Sequence, residues 1–313
     1  MKIKEKTIAC IIFISLAFLR LPARADDGEE AGLGPPVQRV AAAKTKPAKS
    51  GFRIGLRFGG GLTFFDGGDI NDTRSNVTLN EYLAGKDGIP YTINQEDLNR
   101  SFEAGADLLF YLGKRFGISL GASTLGGKSY NRIIIEMPIP PPNDYTITFS
   151  PVLSAVPVTL GLFFTRPLGR RFGLLAEAGA GWTFARLAID QAFIGSLGTL
   201  RFNAEGKAGG LSIYARLGLE VAIFRNFSFF VEVLGRYGKV RGFEGSFEVF
   251  HNNTTFDKGN GRFYTFDRDV SGHPILFIDF ADAPPSGASV SNVRETAIDF
   301  SGVSARSGFR VRF

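Results

Sequence analysis

From Phe52 onward, apolar and non-apolar residues alternate with a period of two, the pattern of strands whose two faces meet different surroundings. In the first run Phe52, Ile54, Leu56, Phe58, Leu62 and Phe64 lie on one face, and Arg53, Gly55, Arg57, Gly59, Gly61 and Thr63 on the other. Phe102, Ala104, Ala106, Leu108, Phe110 and Leu112 form a second run. After only Gly113-Lys114-Arg115 the alternation resumes with Phe116, Ile118, Leu120 and Ala122, which predicts a hairpin. Two more hairpins follow. Val156 to Phe164 leads through Arg166-Pro167-Leu168-Gly169-Arg170-Arg171 into Phe172 to Phe184, and Ile213 to Ile223 turns at Phe224-Arg225-Asn226 into Phe227 to Tyr237. A last strand from about Thr296 to Phe313 brings the count to eight.

The connections alternate in length: three are short, near 113–115, 166–171 and 225–226, and four are long, near 66–99, 130–150, 189–208 and 249–293. This layout predicts an all-β fold, an eight-stranded antiparallel up-and-down transmembrane β-barrel with short periplasmic turns and long outer loops. Strands of about ten tilted residues match the hydrocarbon thickness. A soluble barrel would turn its apolar face inward. Here the opposite face carries almost all the strand glycines together with charges, and glycine confers no solubility outside but leaves room inside for long Arg and Glu side chains. The apolar face is therefore assigned to lipid. Phe52, Phe110, Phe116, Phe164, Phe172, Phe227 and Phe313 fall at strand ends beside short turns or termini, as one interfacial belt. Phe64, Phe102, Trp182, Phe184 and Tyr237 make the other.

Composition agrees with a folded chain: of 313 residues, 44% are hydrophobic and 21% charged, which excludes disorder over the whole length. The net charge of +6 raises a nucleic-acid reading, but the charge sits at the start. Residues 1–25 hold Lys2, Lys4, Lys6, Arg20 and Arg24 against Glu5 alone, +4 of the total. Three lysines, the apolar run Ile8 to Leu19 and Ala23-Arg24-Ala25 have the order of a signal peptide, so 1–25 is expected to be removed and no nucleic-acid partner is implied. The apolar run is shorter than the ~20 residues a spanning helix uses. The single cysteine, Cys10, excludes a disulfide framework and a Cys zinc site. Residues 26–50, rich in Pro, Ala and Lys, read as a flexible periplasmic tail, and 51–313 as the barrel.

The last residues, Gly308-Phe309-Arg310-Val311-Arg312-Phe313, resemble the C-terminal signal of small Gram-negative outer-membrane barrels of the OmpA, OmpX and OmpW kind. Leu174 to Phe184 is similar to a strand common in that group. The resemblance implies outer-membrane localisation, and assembly by the barrel machinery through Phe309, Val311 and Phe313. It covers about residues 51–313 and does not extend to the soluble peptidoglycan-binding domain of OmpA.

On the inward face the alternation places Arg53, Arg57, Arg306, Arg310 and Arg312 on the first and last strands and Asp107, Glu177, Glu220 and Glu232 on the others. Isolated charges are costly to bury, so these are expected to pair as a salt-bridged plug, with a narrow channel for ions or small solutes as the alternative. General acid–base catalysis by such carboxylates is a weaker explanation than charge pairing. Eight-stranded lipid A deacylases use a His-x-Ser arrangement, whereas His251 precedes Asn252-Asn253 and His273 precedes Pro274-Ile275. Asp267, Asp269 and His273 evoke an omptin-like cluster, but that family resembles a ten-stranded barrel. No catalytic site is assigned, and an outer-membrane enzyme acting on lipid or peptide stands third. The loop 66–99 contains Asp66, Asp69, Asp72, Glu81, Asp87, Glu96 and Asp97 against Arg74 and Lys86; hydration is its expected role and divalent-cation binding the alternative. Lys114, Arg115, Arg166, Arg170, Arg171 and Arg225 gather at the short turns, where inner-leaflet headgroups would meet them. The expected role is structural or interactive through the exposed loops. Its partners are outer-membrane lipid and lipopolysaccharide, the assembly machinery and an extracellular ligand, and no cofactor or metal is expected.

Overall fold

A computed structural model describes residues 53–72, 85, 88–135, 145–196, 198–270 and 272–313. The segments read as leader and tail, together with Phe52, Arg74, Glu81, Lys86 and Asp87, lie outside the described residues. The alternating runs form β1 (Arg53–Phe65), β3 (Arg100–Tyr111), β4 (Phe116–Lys128), β6 (Tyr145–Pro167), β7 (Phe172–Gly195), β8 (Gly198–Phe224), β9 (Phe227–Arg241) and β15 (Gly302–Arg312). Each pairs antiparallel with the next, and the β1–β15 ladder, from Gly55↔Arg312 to Phe65↔Gly302, closes the ring. Closure leaves no open edge at membrane depth, where an unpaired backbone group has no water to bond. The eight-stranded transmembrane barrel is therefore as expected.

The long connections differ from simple loops. β6, β7 and β8 run to 23, 24 and 27 residues, far beyond the membrane thickness, and Gly195 pairs with Gly198 at a tight turn joining the last two. Above the ring the first half of β8 pairs with β10 (Glu244–His251), which turns at Asn252-Asn253 into β11 (Thr254–Val270). Both turn residues have positive φ, 50° and 67°, as a type I′ hairpin requires and asparagine tolerates. β11 lies between β12 (His273–Ala281) and β13 (Val290–Glu295). On the other flank β5 (Asn131–Ile135) joins β6 and β2 (Tyr91–Asn94). These strands build a sheet that caps one end of the ring.

The expected last strand is broken. β14 (Ala297–Asp299) continues along β9, and the chain bends at Phe300-Ser301 before β15 begins. The bend is held by Gly238, whose N–H donates to Ser301 Oγ at 3.1 Å and whose carbonyl accepts from Phe300 N–H at 2.9 Å.

The inner face keeps its parity along each long strand while its chemistry inverts. In the ring, β8 turns Leu211, Ile213, Leu217, Leu219 and Ile223 outward and Ser212, Tyr214, Arg216 and Glu220 inward. In the cap the same strand turns Arg201, Glu205 and Lys207 outward and Phe202, Ala204 and Ala208 inward. β7 changes likewise: Trp182 and Phe184 end the lipid face, Arg186 and Asp190 follow outside, and Leu187 and Ile189 follow inside. Two solvents explain the inversion, since hydrocarbon surrounds the ring and water surrounds the cap. The cap consequently has an ordinary apolar core, in which Phe263 meets Phe280 edge-on at 4.7 Å and Phe65 stacks on Phe300 at 6.1 Å.

Both aromatic belts appear on the ring exterior. Phe116, Phe172 and Phe313 are exposed at the short-turn end, and Phe64, Phe102, Trp182, Phe184 and Tyr237 at the cap end. On this basis the protein, in detergent, is expected to migrate differently on a gel before and after boiling; identical migration would count against a closed barrel.

Candidate functional site

Three layers fill the barrel axis. At the short-turn end Leu109, Tyr111, Phe163 and Leu175 form a small apolar cluster, with Tyr111 edge-on to Phe163 at 5.1 Å. Above it lies a charge layer, and above that the apolar core of the cap.

The charge layer is built from adjacent inward positions. Arg57 and Asp107 are register partners on β1 and β3, and the guanidinium Nε donates to Asp107 Oδ2 at 2.8 Å. Arg57 also reaches across the lumen to Glu177 at 2.6 Å and faces Glu232 at 3.5 Å. Arg306 stands 3.5 Å from both Glu232 and Glu103, and Arg310 pairs with Glu220, which also accepts from Arg312 at 2.8 Å. Eight of the nine sequence-assigned lumen residues are thus assembled, Arg312 at the half-exposed margin. Arg53 is the exception: it is exposed at the first position of β1.

Alternation also placed three participants that were not singled out. Arg216 donates to Asp107 at 2.9 Å, and Arg236 Nη2 reaches the two Glu103 oxygens at 2.8 and 2.9 Å. Glu103 additionally accepts from Thr63 at 2.9 Å, Ser123 at 2.9 Å and Ser304 at 3.0 Å. Position alone could have identified Arg216 and Arg236, because each has the parity opposite to the lipid-facing residues of its strand. The buried layer therefore holds five arginines and five carboxylates among the described residues, each 0–6% exposed. Equal numbers balance the formal charge of the layer, which offsets part of the cost of burying ions, while Glu232 and Arg306 meet their partners as ion pairs at 3.5 Å and both Glu232 oxygens lack a hydrogen bond.

Glycine makes the packing possible. A Cβ on Gly121 would strike the Asp107 carboxylate, and one on Gly161 would strike the Tyr214 hydroxyl, which donates to Glu177 at 2.8 Å. The inward glycines are the spaces into which these long polar side chains lean.

Other sequence candidates are dispersed. Asp69, at the start of the short helix α1 (Asp69–Asp72), accepts from Arg294 at 2.9 Å and from the Ala297 N–H at 2.8 Å, so it ties the helix to the cap. Asp267 accepts from Asn292 at 2.6 Å and Asp269 from the Gly272 N–H at 2.7 Å, each a local contact within the cap. His251 pairs along the ladder with Thr254 and His273 with Val270, on different hairpins. No group of metal-ligating side chains occurs among the described residues.

The cap holds a half-open cavity of about 290 Å³. Seven phenylalanines contribute to its wall, and Gln191, Arg268 and Asp279 are its polar members. The register aligns Phe149, Gln191 and Phe202 on three adjacent strands, which sets the Gln191 amide between two rings. The apolar surroundings raise the Asp279 carboxyl above the usual carboxylate value, opposed by the Phe280 N–H at 2.8 Å and by Arg268.

Two solved outer-membrane proteins are similar to the chain at low sequence identity. The chain is 11% identical to the outer membrane protein OprG from Pseudomonas aeruginosa, over 84% of this chain and 97% of that one, with a TM-score of 0.35. It is 8% identical to the outer membrane protease OmpT from Escherichia coli, over 87% of this chain and 100% of that one, with a TM-score of 0.24. No protein-family model matches the chain, and no curated protein does so.

Proposed function

We propose that the protein is an integral outer-membrane β-barrel with a closed lumen and a structural or interactive role, exercised through its extracellular cap. The observation that carries this reading is the charge layer, whose ten side chains pair across the lumen and are at most 6% exposed. The apolar ring exterior suits outer-membrane lipid and lipopolysaccharide. The cap, with a charged exterior and an apolar core, is a water-facing platform of the kind that binds partners. Phe309, Val311 and Phe313 present the terminal recognition surface to the assembly machinery; Phe309 lies against Phe227 at 5.2 Å and Phe229 at 5.6 Å, and Phe313 is freely exposed. The basic turns face the inner leaflet, where phospholipid phosphates are the complementary groups. No catalysis is part of this reading.

Reconstitution into planar bilayers tests it. Negligible steady conductance is expected, because an ion would have to displace compensated, desolvated charges. Large and stable openings would overturn the closed lumen and establish a channel instead.

A further inference from the structure

We propose that the cap cavity is a binding site for a small apolar molecule carrying one hydrogen-bond-accepting oxygen. The inference rests on the reading of the cap as an interaction surface and supplies the chemistry that surface would recognise.

Two independent observations converge. The cavity is concave and lined chiefly by aromatic and aliphatic side chains, with a volume of about 290 Å³ at the lower end of the range for small-molecule sites. Within it, Gln191 is only 7% exposed, yet its Nε2 has no hydrogen-bond partner. A buried amide donor without an acceptor is destabilising, and a core position that needed only packing would be filled as well by leucine. The neighbouring inward positions of β7, Leu187, Ile189 and Phe193, are indeed apolar. A ligand oxygen between Phe149 and Phe202 would complete the amide while its apolar body occupied the phenylalanine-lined space. Arg268 and Asp279 stand on the wall with opposite charges, so the site as a whole favours a neutral ligand over an ion. A ketone or ester oxygen on an aromatic or short aliphatic body fits this description.

The test uses full-length protein in lipid nanodiscs and fluorine NMR of two matched probes, para-fluoroacetophenone and para-fluoroethylbenzene, with empty nanodiscs as the baseline for partitioning. Wild-type protein is expected to bind the ketone about tenfold more tightly than the hydrocarbon, the worth of one buried hydrogen bond. Gln191→Leu, which removes the unmatched donor at nearly constant volume, should bring the two probes within about twofold. Ile189→Trp, which adds bulk from a buried position on the cavity wall, should abolish saturable binding of both while heat-modifiable migration persists. Equal binding of the two probes, a preference that survives Gln191→Leu, or no saturable binding above the empty-disc baseline would each overturn the site. A conducting barrel that retained Gln191-dependent binding would instead overturn the closed-lumen reading and leave the site standing.

Discussion

Replacing Glu177 with leucine is expected to lower the unfolding free energy by about 3–5 kcal/mol, the cost of leaving a buried counter-charge without its partner. Glu177 accepts hydrogen bonds from Arg57 at 2.6 Å, Ser119 at 2.7 Å and Tyr214 at 2.8 Å, and lies 3.7 Å from Arg216. Its loss would leave nine buried charged side chains in the layer, with Arg57 and Arg216 poorly compensated. Glu205→Leu provides the contrast. Glu205 pairs with Arg186 on the cap exterior, where both side chains are well exposed, at 37% and 55%. Solvent screens that pair, and its removal should cost less than about 1 kcal/mol. Urea denaturation of the reconstituted protein, followed by loss of the fast-migrating unboiled band, measures both variants. If Glu177→Leu shifted the midpoint no more than Glu205→Leu, the charge layer would not be what holds the lumen closed.

The ring was legible from alternation because one face of each strand meets lipid, and lipid demands an unbroken run such as Leu211 to Ile223. The cap was not legible by the same criterion. Beyond Phe184 the outward positions become Arg186 and Asp190, and a reading that follows apolar outward residues stops there although the strand continues to Gly195. The signal that would have found the cap is the transfer of apolar character from even to odd positions of β7, at Leu187, Ile189 and Phe193. Asn252-Asn253 was a second signal, since a pair of asparagines between alternating runs marks a two-residue hairpin. The charge network was mostly visible for a related reason: inward parity in the ring selects polar residues whatever their sign. Arg53 departs from it because parity fixes the face a side chain takes but says nothing of the height at which the lumen ends.

The inversion of chemistry along the strands also divides the energetics, and Phe263→Ala is the substitution that separates the two parts. Phe263 is 1% exposed, packs on Phe280, and lies in the core built chiefly by β5, β6, β7 and β12, with no member in the charge layer. Truncating a buried phenylalanine costs about 3–5 kcal/mol through lost transfer energy and the void it leaves. Because the ring closes through its own backbone ladders and is surrounded by lipid, that loss should fall on the cap alone. Amide hydrogen exchange in β10, β11 and β12 is expected to accelerate by about a hundredfold or more, while exchange in β1, β3 and β15 and the heat-modifiable shift stay unchanged. Water around the cap makes the hydrophobic effect the force that holds it together; in the ring, where the exterior is as apolar as any core, that force is missing and polar pairing inside takes its place. A Phe263→Ala protein that melted ring and cap in a single step would show that the two share one cooperative unit, and the division of forces drawn from the strand pattern would fail.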